Sequence, residues 1–177
     1  MIHIVLFEPL IPQNTGNIMR TAIATGSFLH LIEPLGFKLD EKSLKRSGVN
    51  YISEVKYDTY KSWDDFYSAH KNKGQFYFFT RYAKASPKAM EIKKGIDYYL
   101  VFGKETTGID KNILRDHPGE LIRIPMKANV RTLNLAVTVG IGCYYVLDKL
   151  GYPELSTKEV LKGEDFLEKE KKECDNI

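Results

Sequence analysis

Short β-rich runs separated by helical patterns constrain this chain most. The runs are Ile2 to Phe7, Phe28 to Ile32, Gln75 to Thr80, Tyr98 to Phe102 and Leu121 to Ile124. Between them, Asn17 to Thr25, closed by Gly26, places Ile18, Ala22 and Thr25 on one helical side, and Trp63 to Lys71 and Ile109 to Arg115 suit two more helices. Leu135 to Leu147 is nearly all apolar and reads as a buried helix. Alternating strands and helices are the pattern of an α/β fold, a mostly parallel sheet flanked by helices, because parallel neighbours need a crossover long enough to hold a helix. With 177 residues and 43% hydrophobic content, the chain suits one core.

That core is expected over residues 1 to 155, with a charged helix or tail over 156 to 177. Ser156-Thr157-Lys158-Glu159 reads as a capping box opening an amphipathic helix that carries Val160, Leu161, Phe166 and Leu167. The net charge of +3 divides unevenly: from Ser156 onward there are five Lys and seven Asp or Glu, so the body is modestly basic. A surplus of this size permits a polyanionic partner without requiring one. Cys143 and Cys174 share no metal-like spacing, and the four histidines are scattered, so neither a metal centre nor a histidine-based triad is expected. Leu133 to Leu147 contains Asn134, Gly140 and Gly142 and is shorter than the roughly 20 residues that span a bilayer. A soluble protein of the reducing cytoplasm is the expectation.

Three polar loops follow strands, where open α/β sheets gather their ligands at the carboxyl ends. Ile11-Pro12-Gln13-Asn14-Thr15-Gly16-Asn17-Ile18-Met19-Arg20 brings amides, backbone N–H groups and a guanidinium to a helix start. Arg20 lies off the helix's apolar side. Leu100 to Phe102 runs into Gly103-Lys104-Glu105-Thr106-Thr107-Gly108, but Ile109 and Asp110 follow the second glycine. A phosphate-binding P-loop requires Lys and then Ser or Thr there, so nucleotide hydrolysis is not indicated. No G-x-G-x-x-G follows a strand either, which weighs against dinucleotide binding. The third loop, Ile124-Pro125-Met126-Lys127-Ala128-Asn129-Val130-Arg131-Thr132-Leu133-Asn134-Leu135, crowds polar side chains at the entrance of the apolar helix. Buried polar groups require partners, so this entrance is expected to face more protein or a ligand.

With these three motifs in order, the chain resembles the SPOUT superfamily, specifically its SpoU-type branch of RNA ribose 2′-O-methyltransferases, over roughly residues 1 to 153. Ile4 to Pro9, Glu33-Pro34-Leu35-Gly36-Phe37, Leu44-Lys45-Arg46-Ser47-Gly48 and Gly151-Tyr152-Pro153 narrow the resemblance to the small bacterial enzymes that methylate the wobble ribose of tRNA. The resemblance implies a deep trefoil knot near the C-terminus and a homodimer with its active site between subunits. It implies S-adenosylmethionine as methyl donor. The implied substrate is a tRNA anticodon stem-loop, methylated at cytidine or a modified uridine 34 of leucine tRNAs.

The same resemblance distributes the roles. Arg20 is implied at the ribose hydroxyl; its guanidinium stays protonated, so it stabilises the developing alkoxide and positions the acceptor, with another group assisting proton removal. Asn14 is implied to hold the ribose or orient Arg20, and Glu105 and Asn134 to brace the loops. Phe79, Thr80, Gly103, Ile124, Met126, Thr132 and Leu133 are implied to line the donor pocket. Thr132 stands where relatives commonly carry Ser, and Ala136 where many carry a small polar residue. Lys45, Arg46 and Tyr144 are the expected RNA contacts, with Lys42, Arg81 and Lys84 further candidates for phosphates. The Ala136 to Gly142 stretch offers small residues either to a dimer interface or to the monomer core. The alternatives are a ribose methyltransferase acting at another tRNA or rRNA site, an RNA-binding relative without catalysis, and, more distantly, a small-molecule nucleotide enzyme.

Overall fold

The computed structural model describes residues 1–39 and 54–168. Six strands form one parallel sheet: β1 (Ile2–Phe7), β2 (Phe28–Ile32), β3 (Tyr57–Tyr60), β4 (Gln75–Phe79), β5 (Tyr98–Phe102) and β6 (Leu121–Ile122), in the order β3-β2-β1-β5-β4-β6. Among the described residues the main helices are α1 (Pro12–Thr25), α2 (Trp63–His70), α3 (Lys111–Asp116) and α4 (Leu135–Leu150).

Strand alternation divides the apolar residues between two cores. Ile4, Leu6, Leu29, Leu31, Leu100 and Phe102 face Ile18, Met19 and Ala22 of α1 and Val139, Cys143 and Val146 of α4. Val5, Phe7, Ile32, Phe78 and Val101 face Phe66 of α2 and Leu114 of α3. Covering both faces explains why the central strands read as nearly continuous apolar runs, interrupted by His3 in β1 and His30 in β2. Gly142 belongs to this interior. A Cβ there would stand 3.0 Å from Phe79 Cζ and 3.1 Å from Phe102 Cζ, so its smallness serves α4 packing onto the sheet.

Several elements differ from the sequence expectations. β3, with Tyr57-Asp58-Thr59-Tyr60, is mostly exposed at the sheet edge and lacks the apolar signature of its neighbours. α1 starts five residues before Asn17, at Pro12, because a proline in the first turn has no N–H to leave unpaired. The amphipathic helix expected from Ser156 is absent from 156–165, which form turns and bends; among the described residues of the tail, helix appears only at 166–168. The capping residues are used otherwise. Ser156 Oγ accepts from Lys158 N, while Glu159 Oε1 accepts from Leu161 N and Lys162 N, closing local turns instead of a helix start. Among the described residues, no helix is long and apolar enough to cross a membrane.

The chain leaves β1 toward β2 and β3, then returns across the sheet to place β5 beside β1. This reversal between β1 and β5 is the position where an open parallel sheet leaves a crevice at its carboxyl edge.

Candidate active site

The loops after β4, β5 and β6 and the starts of α1 and α4 enclose a cleft of about 590 Å³ at that edge. Phe79, Phe102, Ile122 and Leu135 supply apolar lining, and Thr80, Thr132 and Asn134 add polar groups. Size and mixed lining suit a small organic ligand. Residues 131–134 are exposed rather than buried, a correction to the expected burial, and they line the cleft.

One directed chain of hydrogen bonds ties the three polar loops together. Glu105, after β5, accepts from Leu10 N at 2.9 Å, Ile11 N at 3.2 Å and Asn14 Nδ2 at 2.9 Å. Asn14 Oδ1 accepts from Asn134 Nδ2 at 3.0 Å. Asn134 Oδ1 in turn caps α4, accepting from Ala136 N and Val137 N. Each amide orientation follows from the one before. The helix N–H groups require the Asn134 oxygen, which turns its NH₂ toward Asn14, which turns the Asn14 NH₂ toward a carboxylate that can only accept. The start of α1, the loop after β5 and the start of α4 are thereby fixed relative to one another.

The loop after β5 is held closed by its own backbone. Gly108 N donates to Lys104 O at 2.9 Å, and Gly108 adopts φ +75°. A Cβ on Gly103 would stand 2.1 Å from Gly108 C and from Ile109 N, so no side chain fits there. Lys104 pairs with Glu8, at the end of β1, where Glu8 itself adopts φ 49°. Arg81, Lys111, Arg123 and Arg131 line the cleft beside the Glu8-paired Lys104, whereas Glu105, the one acid among the described lining residues, is engaged by three donors. The cleft therefore favours anionic partners.

All seven residues expected at a donor pocket line this cleft: Phe79, Thr80, Gly103, Ile124, Met126, Thr132 and Leu133. So do Asn14, Glu105 and Asn134. Arg20 does not. It lies on the exposed side of α1, because Asn14, Thr15, Ile18, Met19 and Ala22 occupy the buried side. Tyr144 also points outward, from α4. Lys42, Lys45 and Arg46 lie outside the described residues. Sequence reasoning missed Tyr82 and Arg123 as cleft residues, since nothing in their local pattern separates them from ordinary surface positions, whereas Lys104 reaches the cleft with its motif loop. Among the described residues, no group of three His, Cys, Asp or Glu could hold a metal ion.

A second polar cluster lies away from the cleft. His3 Nδ1 and His30 Nε2 are 2.9 Å apart, and His70 bridges the hydroxyls of Tyr60 and Tyr99. Burial lowers His3 to about 4, against the opposing pull of Asp97, and lowers His30 to about 3, with His3 and His70 adding repulsion. Burial disfavours the charged form of each ring, His30 being fully buried and His3 and His70 partly so. Burial likewise pushes the Cys143 thiol up to about 12, leaving it inert.

The family model described as SpoU rRNA Methylase matches residues 1–144. A Yersinia pestis protein named tRNA (cytidine(34)-2′-O)-methyltransferase is 39% identical, over 90% of this chain and 100% of its own length. A Bacillus anthracis crystal structure superposes with a TM-score of 0.85 at 43% identity, covering 90% of this chain and 100% of that one. Another, described as giving insights into "the 2-OH methylation of C/U34 on tRNA", superposes with a TM-score of 0.79 at 39% identity, covering 85% of this chain and 97% of that one.

Proposed function

Because the chain belongs to the SpoU rRNA methylase family, we propose that it transfers a methyl group from S-adenosylmethionine to the ribose 2′-hydroxyl of the wobble nucleotide, position 34, of tRNA. The observation that carries this reading is the meeting of all three motifs at one cleft through Glu105, Asn14 and Asn134. Leucine tRNAs are the proposed substrates, with cytidine or modified uridine at that position, met in the cytoplasm and read through the anticodon stem-loop.

The cleft's volume and mixed lining fit the donor. The closed Gly103 loop, Phe79 and Thr80, Ile124 and Met126, and Thr132 and Leu133 would hold it, and bound there it supplies an electrophilic sulfonium methyl. The protein's part is alignment of the hydroxyl for in-line displacement and stabilisation of its developing charge. Asn14 is fixed at both ends of its amide and would help place the acceptor ribose from that fixed position. The segment 122–138, which passes the cleft beside the β4 and β5 loops, is where the family's trefoil knot would be tied.

The reading includes a homodimer. Val137, Ile141 and Tyr144 of α4 are 53%, 39% and 47% exposed at helical spacing, an apolar stripe that a second copy would cover. Arg20, turned away from its own cleft, would then serve the partner's cleft as the group that stabilises the alkoxide. The test is incubation with labelled S-adenosylmethionine and total tRNA, followed by mapping of the labelled ribose. Label at nucleotide 34 supports the reading; label in rRNA or at another tRNA position overturns it.

A further inference from the structure

Among the described residues Tyr82 is the most exposed aromatic, at 57%, and it stands on the rim of the cleft in the loop after β4. A large aromatic in solvent usually signals a frayed loop or a partner. This loop is tied down. Thr80 N donates to Ile122 O, Tyr82 N to Thr80 Oγ1, Arg123 N to Ala85 O, and the Arg123 guanidinium to Arg81 O. Ala83 and Pro87, on either side of the loop's later half, are buried. Tyr82 is therefore presented on a pinned loop, and its neighbours are cations. The Arg81 guanidinium carbon lies 5.9 Å from the ring centroid, and Arg81, Arg123 and Arg131 share the cleft rim. An apolar protein partner would not be met by three guanidinium groups.

We propose that Tyr82 is a stacking platform for an unpaired base of the RNA flanking the methylated ribose, with Arg81 and Arg123 holding the adjoining phosphates. Unstacked bases in single-stranded loops are received on aromatic faces and guanidinium planes, while nearby Arg residues neutralise the backbone. The platform would place the acceptor ribose by gripping the nucleotide's base, leaving the sugar to face Asn14. This inference rests on the RNA-methyltransferase reading and makes Tyr82 a positioning residue.

The test compares wild type, Tyr82→Ala and Tyr82→Phe in the full chain. Tyr82→Ala should raise the KM for an anticodon stem-loop RNA, or weaken its binding by anisotropy, by about tenfold, within the range that stacking one base gives. Tyr82→Phe should stay within about twofold, because the ring remains. Calorimetric affinity for S-adenosylmethionine should change far less than RNA affinity, because Tyr82 stands on the rim, apart from the residues assigned to the donor. RNAs carrying a single abasic nucleotide at positions 33, 34 or 35 then locate the base: at one of them wild type should fall to the level of Tyr82→Ala, and Tyr82→Ala should lose nothing further. A constant penalty on every abasic RNA, or weakened cofactor binding with RNA binding unchanged, overturns the proposal. Binding that depends on Tyr82 with no methyl transfer by wild type would sink the functional reading alone.

Discussion

Replacing Glu105 by Gln perturbs the brace with the smallest change in shape. The carboxylate accepts three hydrogen bonds, two on Oε1 and one on Oε2. A glutamine oxygen placed at Oε1 keeps Ile11 N and Asn14 Nδ2, but its NH₂ then faces the Leu10 N–H. One charge-assisted bond is lost, a part-buried donor is left unpaired, and the two remaining bonds weaken to neutral ones. A hydrogen bond to a charged group contributes about 1.5–3 kcal/mol, the orphaned donor being part of that loss, and weakening the other two bonds adds about 1, so the combined loss is about 2–4 kcal/mol. For a chain of this size that corresponds to a fall of roughly 5–12 °C in Tm. Urea unfolding at pH 7 should show a lower midpoint with an unchanged slope, since the surface exposed on unfolding stays the same. The affinity for S-adenosylmethionine should fall in parallel, because the Gly103 loop loses its anchor to the start of α1. A variant within about 0.5 kcal/mol of wild type, with unchanged cofactor affinity, would refute the brace as the organiser of the site.

Asn134→Asp separates capping from bracing. Aspartate caps a helix as well as asparagine does, so α4 should remain intact, yet the donor to Asn14 Oδ1 is gone and a carboxylate faces an amide oxygen. Methyl transfer should fall at least tenfold while far-UV circular dichroism stays unchanged; equal activity would contradict the role of the link. Gly103→Ala should abolish S-adenosylmethionine binding by calorimetry, because its methyl would occupy the backbone of Gly108 and Ile109. The buried histidines predict acid lability. Unfolded, each binds a proton near the ordinary 6.5, whereas folded His3 does so only near 4 and His30 near 3. Between those values the unfolded chain holds more protons, so stability is complete above about pH 7 and declines as pH falls, by on the order of 2 kcal/mol per histidine at pH 5. Urea midpoints measured at pH 7 and pH 5 check this, and equal midpoints would contradict it.

The central strands were legible because burial on both faces leaves an apolar run that no loop or surface helix would carry. β3 was not, since an edge strand such as Tyr57 to Tyr60 satisfies its pattern through backbone pairing with β2 rather than through apolar side chains. The capping box at Ser156 misled because its hydroxyl and carboxylate serve turns as readily as helix starts. At the site, motif residues reached the cleft where a strand end fixes their position, as with Phe79, Gly103 and Ile124. Tyr82 and Arg123 escaped notice because their placement comes from the tie between the β4 loop and β6, a contact far apart in the chain. Arg20 lies off the apolar side of its helix, as the spacing predicts, but spacing along one helix says nothing of which cleft that side faces.

The central claim is that one hydroxyl, the 2′-OH of nucleotide 34, receives the methyl group. Its most direct test is methyl transfer from labelled S-adenosylmethionine to two synthetic anticodon stem-loops identical except that one carries a 2′-deoxy sugar at position 34. Incorporation is expected into the ribose form and none into the deoxy form, whereas equal incorporation into both would place the methyl group elsewhere.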